Sequence, residues 1–156
     1  MANRRVDNVI LENCRIIFRN FEGKGDKFNP AGRRHFSVVL PRDIADRLSE
    51  EGWNVKELKP RDEDEEPTPF MQVRVNFSNI PPEIYLVTGR NKKTKLTEDT
   101  IQTLDYAEIE NVDLIVSGYC WEMNGKEGIT AYCKTMYVKI VEDVFADKYA
   151  DEDVTF

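Results

Sequence analysis

The chain has 156 residues, of which 40% are hydrophobic and 33% charged, and its formal net charge is −7. That length suits one domain with a core of its own, and no apolar run approaches the ~18 residues that a membrane-spanning helix needs. An acidic total argues at first against a nucleic-acid partner, but it averages over segments of opposite sign.

In chain order, VILENCRIIFRNF (9–21) is β-branched and aromatic and predicts a long first strand. A polar loop, EGKGDKFNPAGR, leads to a second strand, RHFSVVL (34–40). PRDIADRLSEE (41–51) places Ile44, Ala45 and Leu48 at helical spacing, with Pro41 before the first turn and Gly52 after the last, so a short helix is expected. WNVKEL (53–58) suits a strand, DEDEEPTP (62–69) a charged loop, and FMQVRVNF (70–77) alternates cleanly as a strand. EIYLVTG (83–89) predicts another strand, RNKKTKL (90–96) a basic loop, and Thr97–Leu104 a second short helix. Two further strands, VDLIVSGYCWEM (112–123) and GITAYCKTMYVKI (128–140), are joined across Asn124-Gly125, a strong hairpin signal. Five to seven strands with two short helices and no βαβ rhythm predict a mainly β fold. The expected architecture is an OB-fold-like five-stranded barrel with short helical insertions, formed by residues 1–141, and a disordered acidic tail over 142–156.

Little points to catalysis. His35 is the single histidine and falls mid-strand, where a half-buried structural role suits it better than that of a base. The glycines of GKGDKFNPAG resemble a phosphate loop only superficially, because no Lys-Ser/Thr pair and no helix follow. Metal-ligand spacings are missing, so neither metal nor cofactor is expected. Cys14, Cys120 and Cys133, an odd count in separate apolar runs, read as buried thiols of a reducing cytosol. Met-Ala-Asn-Arg-Arg with no apolar stretch behind it does not read as a secretion signal.

The charge map is more informative. Residues 1–42 carry nine Lys/Arg against four Asp/Glu, and residues 71–96 carry five against one. The acids concentrate elsewhere, with ten against four cations in 43–70, eight against three in 97–141 and six against one in 142–156. Within the first basic segment, Arg15, Arg19, Phe21, Lys24, Lys27, Phe28, Arg33 and Arg34 interleave cations with rings. Single-stranded nucleic acid is held by this combination, cations along the phosphates and aromatic faces under the bases. Phe18 and Phe36 are expected in the core, whereas Phe21 and Phe28, set in a polar loop, are expected to meet bases. Arg90, Lys92, Lys93 and Lys95 form a second basic stretch free of acids.

A two-residue turn at Asn124-Gly125 pairs Met123 with Lys126, Trp121 with Gly128 and Tyr119 with Thr130. Alternation then puts Leu114, Val116, Gly118, Cys120, Ile129, Ala131 and Cys133 on a core face. Ser117, Tyr119, Trp121, Thr130, Tyr132 and Lys134 fall on the opposite face, an aromatic platform with a cation. Such a face is also core when a helix covers it, and a bulge at Glu127-Gly128 would move Tyr132 and Lys134 to the other side.

The acidic segment Asp151-Glu152-Asp153-Val154-Thr155-Phe156 resembles the tails of single-stranded-DNA-binding proteins of bacteria and their phages. LENCRIIFRNF, WNVKELKPR and the hairpin VDLIVSGYCWEMNGKEGITAYCKTMYV are similar to the phage OB-fold members of that group. The resemblance implies a non-catalytic protein that coats single-stranded DNA with little sequence preference during phage replication or recombination, in the host cytoplasm. It further implies that Asp151, Glu152, Asp153 and Phe156 dock a polymerase, helicase or recombinase, and a homo-oligomer is compatible with it. The alternative from another class is a protein-interaction adaptor, a small β-barrel whose aromatic face binds a protein.

Overall fold

In the computed structural model, residues 6–25, 32–60, 62–78, 80–89 and 92–141 are described. The β-branched run near the start forms β1 (Val9–Cys14) and β2 (Ile16–Asn20), two halves of one strand separated by Arg15. They are followed by β3 (Arg34–Val39), α1 (Arg42–Glu51), β4 (Val55–Leu58), β5 (Thr68–Val75), β6 (Glu83–Thr88), β7 (Lys92–Leu96), α2 (Thr103–Tyr106), β8 (Ile109–Met123) and β9 (Lys126–Ile140).

Hydrogen-bonded neighbours run β1-β8-β9-β5-β3-β2, and the two ends of that path are covalently joined through Arg15. Five lengths of chain therefore close on themselves, with β1/β2 shared between the two halves of the wall. All pairings on this path are antiparallel except β5 with β9, where Val73 faces Ala131 and Arg74 faces Tyr132 in parallel. This is the expected OB-like barrel. Its insertions are richer than expected, since β4 adds to β5 and a β6–β7 hairpin adds in parallel to the far half of β9. RNKKTKL, expected as a basic loop, supplies β7, because β6 offers it a complete antiparallel partner from Ile84↔Leu96 to Thr88↔Lys92. The second helix is shorter than expected, with turns over Glu98–Gln102 and helix only from Thr103.

α1 follows its sequence signals. Gly52 takes φ 104° at its end, and Trp53 N–H reaches back to Leu48 O at 3.0 Å. The helix buries Ala45 and Leu48. Its C-terminus is then hooked to the long hairpin, with Ile129 N–H donating to Gly52 O at 3.1 Å.

The core gathers alternating residues of every barrel strand, including Val38, Met71, Val73, Leu114, Val116, Ile129, Met136 and Val138. The three thiols are free. Burial pushes the Cys133 thiol up to about 12, and burial likewise raises Cys14 to about 11, so both are protonated small apolar side chains at neutral pH. No helix among the described residues is long and apolar enough to cross a membrane.

Candidate nucleic-acid interface

The hairpin register is the one the Asn-Gly turn dictates, with Met123↔Lys126, Trp121↔Gly128 and Tyr119↔Thr130. The aliphatic face points into the barrel, leaving Ser117, Tyr119, Trp121, Thr130, Tyr132 and Lys134 on the outer face, partly or fully exposed. Tyr119 is 60% exposed and Trp121 37%. The ladder is regular at Glu127-Gly128 and shifts farther along, between Cys133 and Thr135, where Lys134 has no partner on β8, and again between Ile109 and Asn111.

Three clefts meet on this outer face. The first, 510 Å³, lies between the hairpin tip and β5 and is lined by Trp53, Gln72, Arg74 and Trp121 among others. The second, 530 Å³, shares Gln72 and Arg74 with the first and adds Arg33, Arg34, His35, Phe77 and Tyr132. The third, 540 Å³, shares Asn76 and Tyr132 with the second and reaches Ile80, Tyr119 and Lys134. Shared walls make these one groove crossing β3, β5, β9 and β8. The strand registers explain the row of groups at its centre, since His35 faces Arg74, Arg74 faces Tyr132, and Tyr132 faces Ser117.

The groove's cations are Arg33, Arg34, Arg74 and Lys134, against Glu98 and Glu127. Arg34 lies 3.4 Å from Glu98 and 5.6 Å from the centre of the Phe77 ring, so its guanidinium is held in place. Arg33 and Arg34 emerge where the preceding loop is pinched shut, Gly32 N–H donating to Gly23 O at 2.7 Å. Both glycines sit at positive φ, and Arg34 Cγ lies 3.3 Å from where a Cβ on Gly23 would be. At the other end, Trp121 lies flat on Gly128, where a Cβ would meet its ring at 2.7 Å. Trp53 is seated because Gly118 leaves room for its ring, which a Cβ would meet at 2.6 Å.

Several expected contacts fall elsewhere. Phe21 is 0% exposed and stacks on Phe36 with ring centres 5.2 Å apart, so it offers no face to a base. Phe18, expected in the core, is 57% exposed and edge-on to Phe70. A single bulge exchanges them. Ile17 faces Ser37 and Asn20 faces His35, so β2 carries one residue more than β3 in that interval, and Phe18 takes φ 51°. The extra residue inverts the alternation. Asp105 then fixes the new phase, accepting from Phe21 N–H at 2.7 Å and Glu22 N–H at 2.8 Å.

Arg19 is bound by the carbonyls of Leu104 and Ala107 at 2.8 and 2.7 Å and belongs to the α2 flank rather than the groove. Arg15 borders a separate cleft beside α1. Lys24 is exposed, 4.0 Å from Glu22. Lys92, Lys93 and Lys95 lie on β7, separated by β6 from the far half of β9. Lys27, Phe28, Arg90 and the tail residues Asp151, Glu152, Asp153 and Phe156 lie outside the described residues. The groove residue that sequence reading missed is Arg74. FMQVRVNF alternates so that Gln72, Arg74 and Asn76 share the solvent face, and that pattern was sufficient to find it.

Among the described residues no group of three or more His, Cys, Asp or Glu could hold a metal ion. What the groove can do is bind an extended polyanion that carries planar apolar groups.

No curated protein matches the sequence significantly. Among solved structures, the single-stranded-DNA-binding protein of bacteriophage Enc34 in C-terminally truncated form matches with TM-score 0.56 and 11% identity, over 87% of each chain. The same phage protein in complex with ssDNA matches with TM-score 0.56 and 11% identity, over 87% of this chain and 88% of that one. A further structure of the single-stranded-DNA-binding protein of bacteriophage Enc34 gives 0.54 and 11%, over 95% and 87%. At that identity the likeness is one of fold. The phage ssDNA-binding domain family model matches residues 1–155, nearly the whole chain, and this protein belongs to that family.

Proposed function

We propose that single-stranded DNA runs along the outer groove, coated with little sequence specificity during phage DNA replication or recombination. Arg33, Arg34, Arg74 and Lys134 contact phosphates, while Trp121, Tyr119 and Tyr132 stack bases. The observation that carries this reading is the continuity of the three clefts through Gln72, Arg74, Asn76 and Tyr132, which join cations to rings in one channel. Stacking and phosphate contact both tolerate any base, because every base has a π-face and every nucleotide a charge. The family membership and the ssDNA complex of the Enc34 protein, a chain of like fold, support the same ligand.

The acidic tail, 142–156, recruits a polymerase, helicase or recombinase through Phe156 and its neighbouring acids. Its six acids against one cation also suit it to occupy the basic groove when DNA is absent. Binding to oligo-dT, duplex DNA and RNA, each titrated with salt, tests the first part. Preference for the single strand with a steep salt slope is expected, and weak, equal binding to all three would sink it. Removing 142–156 is expected to tighten DNA binding and abolish capture of the partner enzyme. Unchanged affinity would dismiss the shielding role.

A further inference from the structure

Beyond the groove, the outer face of β9 carries a second aromatic site. Tyr85 on β6 and Tyr137 on β9 are paired in register and stack with centres 5.1 Å apart and planes 16° from parallel. Lys93 Nζ lies 5.9 Å from one ring centre and 5.8 Å from the other, within cation–π range of both. Tyr137 remains 36% exposed and walls a 370 Å³ cleft completed by Val87, Lys93, Asn111, Asp113 and Lys139. That size is within the range of small-ligand clefts, ~300–1,000 Å³.

The bulge at Lys134 puts this cleft on the same face of β9 as the groove. Tyr132 and Tyr137 are an odd number of residues apart, so an unbroken strand would point them to opposite faces. The unpaired Lys134 shifts the phase, and Met136 and Val138 become the buried residues while Tyr137 and Lys139 face out. β9 also changes parallel partner across that point, from β5 at 131–132 to β6 at 135–139. One outer surface therefore runs Tyr132, Lys134, Thr135, Tyr137.

We infer that the cleft beside the Tyr85–Tyr137 stack is a second nucleotide-binding subsite, which takes a base against Tyr137 and its phosphates on Lys93 and Lys139. This rests on the groove reading above, and it extends the path of the DNA along β9. The polar groups lining it from β8 suit a base edge rather than a phosphate. Asn111 offers both a donor and an acceptor, and the Asp113 carboxylate, whose Oδ1 accepts Asn13 N–H at 2.9 Å, is an acceptor suited to a base amino group. Val87 and two lysines, Lys93 and Lys139, in the same lining offer an apolar contact and cations, as the ring and the anion of a nucleotide require.

The test uses the full chain with oligo-dT of about six and about sixteen nucleotides, spanning the site sizes of such folds. Wild type is expected to bind the longer oligonucleotide more tightly. Tyr137→Ala should lose about fivefold to a hundredfold on the longer one, the worth of one stacked base, and leave the shorter one unchanged. Tyr137→Phe should retain binding. Lys93→Glu, an exposed change on β7, reports the same length-selective loss if Tyr137→Ala does not fold. Equal losses on both lengths, or no loss on either, would overturn the subsite while leaving the groove intact. Failure of wild type to bind either oligonucleotide would overturn the groove reading and this inference with it.

Discussion

The groove face and the β2–α2 flank are built from the same residue types, yet they end in opposite states. On the flank, Arg19 donates from Nη1 to two carbonyls and Phe21 is buried on Phe36. On the groove, Arg74 projects between β3 and β9, and Trp121 and Tyr119 keep open faces. An internal partner decides where an arginine or a ring is held, and Arg34, 3.4 Å from Glu98, is held in the groove wall. On the flank α2 supplies one for each, through Leu104, Ala107 and Asp105. Outer-face residues of β5 and of the hairpin tip are exposed among the described residues, so their chemistry is directed outward.

This contrast can be broken in several ways. The largest effect is expected from Phe21→Ala, which should destabilise the fold by about 3–5 kcal/mol in a denaturant titration, while the folded fraction binds DNA as before. A specific loss of affinity would instead place Phe21 at the DNA. Gly118→Ala forces a methyl against Trp53, Val6 and Ile129, and overpacking of that kind costs about 1–3 kcal/mol. Tyr132→Ala is expected to weaken oligo-dT binding by about 1–3 kcal/mol with little change in thermal midpoint, the reverse of Phe21→Ala.

The two arginines give a finer comparison. Arg33→Ala should lower the salt slope of binding by about 0.7, the value for one phosphate contact on a single strand. Arg19→Ala should leave that slope alone and cost about 1 kcal/mol of stability through its lost carbonyl contacts. The smallest effect is expected at Gly128→Ala, which displaces Trp121 from its seat. Its signature is altered tryptophan fluorescence with a nearly unchanged melting curve.

The elements with local determinants were legible in the sequence. Asn124-Gly125 set the hairpin register, and Pro41 with Gly52 bounded α1. The aliphatic face of the hairpin followed from simple alternation. Residues beyond a bulge were not legible, because a bulge is decided by what the partner strand requires. At Phe18 it exchanged a core ring for a surface one, and at Lys134 it turned Tyr137 outward. β7 was misread for a similar reason, since KKTKL has no apolar alternation and becomes a strand only because β6 pairs with it. Arg74 is a different case. Its outward position followed from alternation alone, but attention to clustered charge passed over a single cation within an apolar strand.

The lysines of β7 have a consequence apart from any ligand. Among the described residues β7 pairs with β6 alone, which makes it an edge strand. A protein that lines up along a DNA strand brings copies of itself to high local concentration, where an open edge invites strand addition from a neighbour. Lys92, Lys93 and Lys95 put three positive charges on five residues of that edge. Two such edges repel, and each ammonium would have to give up water to let a second strand in. Charges of the sign that suits a polyanion thereby disfavour the fusion of adjacent copies into a continuous sheet.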